Sequence, residues 1–180
     1  MGNSTSSDKR VSDINAESAR PRVIVAEDEA LIRLDLVELL EDQGYEVVAQ
    51  ASDGEEAVSL ARELEPDLVV MDVKMPKMDG ITAADKIAEE RICAVVMLTA
   101  FSQRDLIERA KEAGAMAYVV KPFDVSDVVP AIEIALARFQ EIRAVEDEIA
   151  DLEERLESRK LVDQAKGMLQ SSLGLTEPEA

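Results

Sequence analysis

LVVMDVKMPKMDG, residues Leu68 to Gly80, is the stretch that decides the fold. Leu68, Val69, Val70 and Met71 form a short apolar run led in by Pro66-Asp67, as expected for a strand buried on both faces of a parallel sheet. Asp72 follows at the carboxyl end of that strand. In open α/β sheets the crevice beyond the strand ends is where ligands bind, which puts this carboxylate at a site and not in the core. Met75-Pro76 and Asp79-Gly80 then break the chain into a loop and start a helix.

Working outward, the same strand-then-helix unit occurs five times. Apolar strands are expected at Arg22–Ala26, Glu46–Ala51, Leu68–Met71, Ala94–Leu98 and Ala117–Val120. Helical spacing follows each: Leu31 to Gly44, Gly54 to Leu64, about Gly80 to Arg91, about Ser102 to Ala113 with Gly114 as its stop, and a last helix from near Ser126. Five such units predict an α/β fold, a doubly wound five-stranded parallel sheet with helices on both faces.

The last helix runs on. From Ile132 to about Leu173 only Gly167 interrupts the helix formers. Ile142, Val145, Ile149, Leu152 and Leu156 alternate at three and four residues among Glu and Arg, about two heptads of a coiled-coil seam. After Leu156 the apolar register shifts to Leu161, Val162, Ala165, Met168 and Leu169, which predicts that a new packing arrangement starts there. Thr176, Pro178 and Glu179 carry the marks of a helix start, and that helix is expected to lie beyond Ala180. The resulting division is a flexible tail over 1–20, an α/β domain over 21–138, a coil over 139–157 and the start of an all-α domain over 158–180.

Composition narrows the chemistry. The 180 residues are 47% hydrophobic and 33% charged, and no apolar run approaches a membrane span. The first twenty residues lack the apolar centre of a signal peptide, so a cytoplasmic location without membrane contact is expected. A single cysteine, Cys93, permits no internal disulfide and is expected as a buried thiol. With no histidine, imidazole metal sites and Ser-His-Asp catalysis are excluded, and any phosphohistidine must come from a partner. The formal charge of −19 divides into roughly −14 over 21–135, −5 over 136–180 and zero over the tail. That field attracts small cations and basic partners.

At the carboxyl ends of the five strands stand Glu27 and Asp28, Asp72, Thr99 and Lys121, all directed to one crevice. Three carboxylates in proximity repel unless a hard cation lies between them, and oxygen ligands without His or Cys point to magnesium. A Lys ammonium can pair with a phosphoryl oxygen and a Thr hydroxyl can hydrogen-bond another. The expected chemistry is in-line attack of the Asp72 carboxylate on phosphorus, giving an aspartyl phosphate. Thr99 is expected to move toward the phosphoryl group and Tyr118 to turn into the space it leaves.

Glu27-Asp28, the D72-V-K-M-P-K-M-D-G segment, Thr99-Ala100 and K121-P-F, in that order, resemble the receiver domain of two-component response regulators over about residues 21–138. The resemblance implies a receiver fold of the flavodoxin type and a phosphoryl group accepted by Asp72 from a sensor histidine kinase. It implies a magnesium site of Glu27, Asp28, Asp72 and the backbone carbonyl of Lys74, with Thr99 and Tyr118 as switch residues. Glu27 departs from the pattern, where the first acid is more often Asp, and its longer arm can alter the metal geometry.

L156-E-S-R-K-L-V-D-Q-A-K-G-M-L-Q, with Gly174 shortly after, is similar to the opening of ANTAR domains, the RNA-binding modules of antitermination regulators. Arg159, Ala165, Lys166 and Gly167 carry the match. It implies a small all-α domain, binding of nascent transcript hairpins and antitermination, and the coil suggests phosphorylation-controlled homodimerisation. The acidic charge of 136–180 is wrong for phosphate contacts, so the RNA-contacting residues are expected mostly after Ala180.

Two other function classes stay open. A receiver and coil that relay phosphorylation through protein contacts, without RNA, suits the acidic charge. A hydrolase of phosphate esters at the same crevice is disfavoured because no general base such as His is present. Direct DNA reading lacks a helix-turn-helix pattern.

Overall fold

The computed structural model describes residues 19–100 and 104–174. It divides into two compact units, Met1–Leu136 and Ala137–Ala180. Expectations for residues 1–18, for a helix start at Ser102 and for the Thr176 cap lie outside the described residues.

The first unit alternates β1 (Arg22–Ala26), α1 (Ala30–Asp42), β2 (Glu46–Ala51), α2 (Gly54–Leu64), β3 (Leu68–Asp72), α3 (Gly80–Glu89), β4 (Ala94–Thr99), α4 (Arg104–Glu112) and β5 (Ala117–Val120), and leads into α5 (Val125–Leu173). All strand pairs are parallel, in the order β2-β1-β3-β4-β5. This is the doubly wound five-stranded sheet that the periodicity predicts. Every residue of β3 and β4 is buried, which explains why both read as unbroken apolar runs. Asp72 and Thr99 are the last residues of their strands, one position beyond the ends expected from the apolar pattern alone. The parallel ladder continues through their backbone, which is indifferent to side-chain polarity.

The order reverses between β1 and β3, and there a doubly wound sheet opens its crevice. One core cluster joins Ile24, Val69, Met71, Val95 and Met97 of the sheet to Ala57, Val58 and Ala61 of α2 and to Ala83, Ala84 and Ile87 of α3. Alanines on the helix faces let α2 and α3 lie close to the sheet. Cys93 is 2% exposed, in this cluster, as expected.

In the second unit α5 continues to Leu173. Ile142, Val145, Ile149, Leu152 and Leu156 lie between 47% and 59% exposed, so the predicted seam is an apolar stripe on a solvated helix. Arg155 pairs with Asp151 at 2.9 Å and the Arg143 guanidinium lies 5.8 Å from the Phe139 ring centroid. Such i,i+4 pairs support the helix locally by a few tenths of a kcal/mol each.

Candidate phosphoryl-transfer site

The strand ends build the site. The Glu27 N–H donates to the Ala51 carbonyl at 3.0 Å, continuing the β1–β2 ladder one residue past β1. The Val73 N–H donates to the Leu98 carbonyl at 2.9 Å and the Lys121 N–H to the Thr99 carbonyl at 2.8 Å. Ladder hydrogen bonds thus fix the residues just beyond β1, β3 and β5 at the same end of the sheet.

The loop after Asp72 is held as firmly. The Gly80 N–H returns to the Val73 carbonyl at 2.9 Å, and a Cβ on Gly80 would sit 2.0 Å from the Asp72 carbonyl oxygen. Only glycine permits α3 to start this close to the strand. Asp79 caps α3 by accepting from the Thr82 N–H at 2.8 Å. On the far side the Gly54 N–H donates to the Met78 carbonyl at 3.1 Å, and Lys77 Nζ, on a residue with φ of +62°, reaches the Asp53 carboxylate at 2.8 Å. Asp53 is itself buried and caps α2 through the Glu56 N–H.

Glu27, Asp28 and Asp72 each present a carboxylate oxygen, all within 4.8 Å of one another. Lys121 enters this cluster, with Nζ 2.5 Å from Glu27 Oε2 and 3.2 Å from Asp72 Oδ2. Burial pushes the carboxyls of Glu27 and Asp72 up from their ordinary values, with Lys121 opposing the rise. Burial also pulls the Lys121 ammonium down, but its hydrogen bond to Glu27 and the Asp72 and Glu27 charges outweigh it and hold the group above the ordinary lysine value. The cluster therefore calls for positive charge. Its donors are all oxygens, and Lys121 already supplies one compensating cation, so the residues fit a hard divalent ion such as magnesium.

A cavity of about 190 Å³ opens above the cluster, lined by Asp28, Asp72, Lys74, Thr99, Ala100 and Lys121 among others. Thr99 is buried at its wall. The Lys74 N–H hydrogen-bonds the Asp72 carboxylate. Of the residues singled out from the sequence, Glu27, Asp28, Asp72, Lys74, Thr99 and Lys121 are brought together. Tyr118 is not: it is 45% exposed on β5, away from the cavity lining.

Sequence reasoning missed five supporting residues. Arg33 on α1 donates to the Glu27 carbonyl at 2.6 Å, and the Glu29 N–H donates to Glu27 Oε1 at 3.1 Å. The pattern Asp53-x-x-Glu56 is a helix-start signature that was legible. The Asp53–Lys77 pair spans 24 residues and leaves no local signal.

Comparison with known proteins agrees with this geometry. The chain matches the family model of the response regulator receiver domain over residues 23–133 and that of the ANTAR domain over 150–180. It is 63% identical over 167 residues, covering 92% of this chain and 82% of the relative, to the transcriptional regulatory protein PdtaR of Mycobacterium tuberculosis. It is 39% identical to the chemotaxis protein CheY of Bacillus subtilis, covering 64% of this chain and 97% of CheY. The structure of the CheX-CheY-BeF3-Mg+2 complex from Borrelia burgdorferi superposes with a TM-score of 0.60 at 29% identity, over 66% of this chain and 92% of that one. Strand order, the residues at the strand ends and the two successive family matches together place the chain among the response regulators, in the branch that joins a receiver domain to an ANTAR domain.

Proposed function

We propose that the protein accepts a phosphoryl group on Asp72 from a sensor histidine kinase and acts through its ANTAR region as an RNA-binding transcription antiterminator. The observation that carries the first half is the placement of Lys121 Nζ 3.2 Å from the Asp72 carboxylate, beside Asp28 and Thr99, at the strand-order reversal. An Asp72 oxygen forms the new bond to phosphorus while the bond from phosphorus to the kinase imidazole breaks, the electron pair leaving with the imidazole. Lys121 offsets charge on the equatorial oxygens and the Thr99 hydroxyl hydrogen-bonds one of them. Magnesium, held by the acidic cluster with the Lys74 carbonyl, supplies electrostatic stabilisation of the transferring group when bound. Asp72 is the acceptor in this reading, so the chain takes up phosphate without turning over a substrate. The superposed Borrelia burgdorferi complex is one of CheX, CheY, BeF3 and Mg+2, which supports the same chemistry here.

For output, the ANTAR match supports RNA hairpins as the target, and the similarity to the transcriptional regulatory protein PdtaR supports a role in transcription. We assign residues 21–138 to the receiver, 139–157 to a dimerising coil, 158–180 to the beginning of the ANTAR domain and 1–20 to a tail, all in the cytoplasm. Among the described residues no helix is long and apolar enough to cross a membrane. Phosphorylation would then favour pairing of the Ile142, Val145, Ile149, Leu152 and Leu156 stripes of two copies. A second reading, relay through protein contacts alone, is favoured by the net acidity of residues 136–180.

The test combines both halves. Phosphate incorporation from a small phosphodonor with Mg2+ is measured on the parent and Asp72→Asn proteins, followed by hairpin RNA binding across a salt series. Incorporation lost in Asp72→Asn, with RNA affinity that rises on phosphorylation and falls with salt, is the expected result. Incorporation that persists in the variant overturns the acceptor assignment, and absence of RNA binding in either state selects the relay.

A further inference from the structure

The exposed stripe of α5 has flanks as well as a seam. Ile142, Val145, Ile149, Leu152 and Leu156 follow one another at intervals of three, four, three and four residues, which fixes the heptad register. Ile142, Ile149 and Leu156 take the a positions, and Val145 and Leu152 the d positions. Glu141, Glu148 and Arg155 then stand at g, one residue before each a, while Glu146, Glu153 and Lys160 stand at successive e positions. In a parallel pair each g residue lies beside the e residue five places further along the other helix, and these contacts set partner choice and orientation. For two copies of α5 they are Glu141 with Glu146, Glu148 with Glu153 and Arg155 with Lys160, each made twice by symmetry. Every one joins like charges. Across residues 141–157 eight acids stand against two arginines, and one of these, Arg155, is paired with Asp151 of its own helix at 2.9 Å.

We infer that these flanks are a charge lock on self-pairing, so that the coils of free chains stay apart and close only when another contact between two copies offsets the repulsion. The inference rests on the pairing of two copies proposed above and names what restrains it. Two heptads of seam bury little apolar surface, so repulsion along both flanks decides the balance. The lock also has a signature in salt. Ions screen exposed charges, so a pair opposed by its flanks tightens as salt rises, whereas a pair held by complementary flanks loosens. An antiparallel pair behaves differently again: there g lies beside g, which brings Glu148 of one copy against Arg155 of the other and makes that contact attractive.

The experiment is sedimentation equilibrium of the full chain without phosphodonor, across a NaCl series. The parent is compared with Glu141→Lys/Glu148→Lys, which turns four of the repulsive contacts into Lys–Glu pairs. A control, Asp147→Lys/Glu154→Lys, makes the same change in net charge at f positions, away from the seam. The expected result is a parent and a control that are monomeric at low salt and associate more as salt rises, and a g-position variant that dimerises about thirtyfold more tightly and loosens with salt. A g-position variant no tighter than the control overturns the lock, as does a parent that already dimerises at low salt. A g-position variant looser than the parent overturns it in favour of antiparallel pairing. Adding phosphodonor and Mg2+ to the parent separates the two readings. Dimers there, with no difference between the variants, remove the lock and keep the pairing of two copies; no association of any chain under any of these conditions removes the pairing, and the lock with it.

Discussion

Lys77 Nζ lies 2.8 Å from the Asp53 carboxylate and ties the middle of the β3–α3 loop to the first turn of α2. Lys77 adopts a left-handed backbone, φ +62°, a conformation that costs a non-glycine residue about 1–2 kcal/mol. The tie and the close approach of Gly54 to Met78 hold that conformation in place, so the loop bearing Lys74 is fixed from outside the site as well as within it.

Stability should depend on Asp53 in a defined pH window. The hydrogen bond from Lys77, then that from the Glu56 N–H, holds the Asp53 carboxyl below its ordinary value. A folded-state value below the unfolded one stabilises the protein above about pH 4, and the contribution is lost as pH falls through the folded value. Asp53→Asn keeps the capping oxygen and removes the charge. Urea unfolding should show the variant less stable than the parent near neutrality, with the gap closing in acid; Asp53→Ala, which removes the cap, should cost about a further 1 kcal/mol.

Gly80→Ala should destabilise the receiver by about 1–3 kcal/mol, because the new methyl meets backbone at 2.0 Å and not a side chain that can swing away. The oxygen it meets belongs to Asp72, so phosphate incorporation should fall with it. Denaturation midpoints and incorporation rates measured on the same preparation check both; an unchanged midpoint would refute the close approach.

Cys93 should be inert in the folded state. Burial, with Asp67 nearby, pushes its thiol up to about 12, and it is 2% exposed. An aromatic disulfide reagent at about pH 8 should label it only at the unfolding rate and react quickly once urea is added.

Tyr118 should report the proposed switch. It is 45% exposed, while Tyr45 is buried at 8%, and the chain has no tryptophan. In Tyr45→Phe the remaining tyrosine emission should be quenched readily by acrylamide before phosphorylation and less so afterwards. Equal quenching in both states would remove Tyr118 from the switch.

Most of the sheet was legible because β3 and β4 are buried on both faces and their apolar runs are unbroken, and the site was legible because parallel strands deliver their last residues to one edge. The one-residue extensions of β3 and β4 through Asp72 and Thr99 share a cause: a ladder extends through backbone groups, so a polar side chain does not mark its end. What the sequence hid was contact between distant segments, such as Asp53 with Lys77 or Arg33 with the Glu27 carbonyl.

The pair that completes the cluster, Glu27 and Lys121, is separated by 94 residues, with β3 and β4 lying between the strands they follow. A chain still emerging from the ribosome therefore holds Asp72 long before it holds the lysine that accompanies it. Under the function proposed above, a copy whose last strand has not docked holds the acceptor without its lysine, and the population able to respond fully is the population that has finished folding.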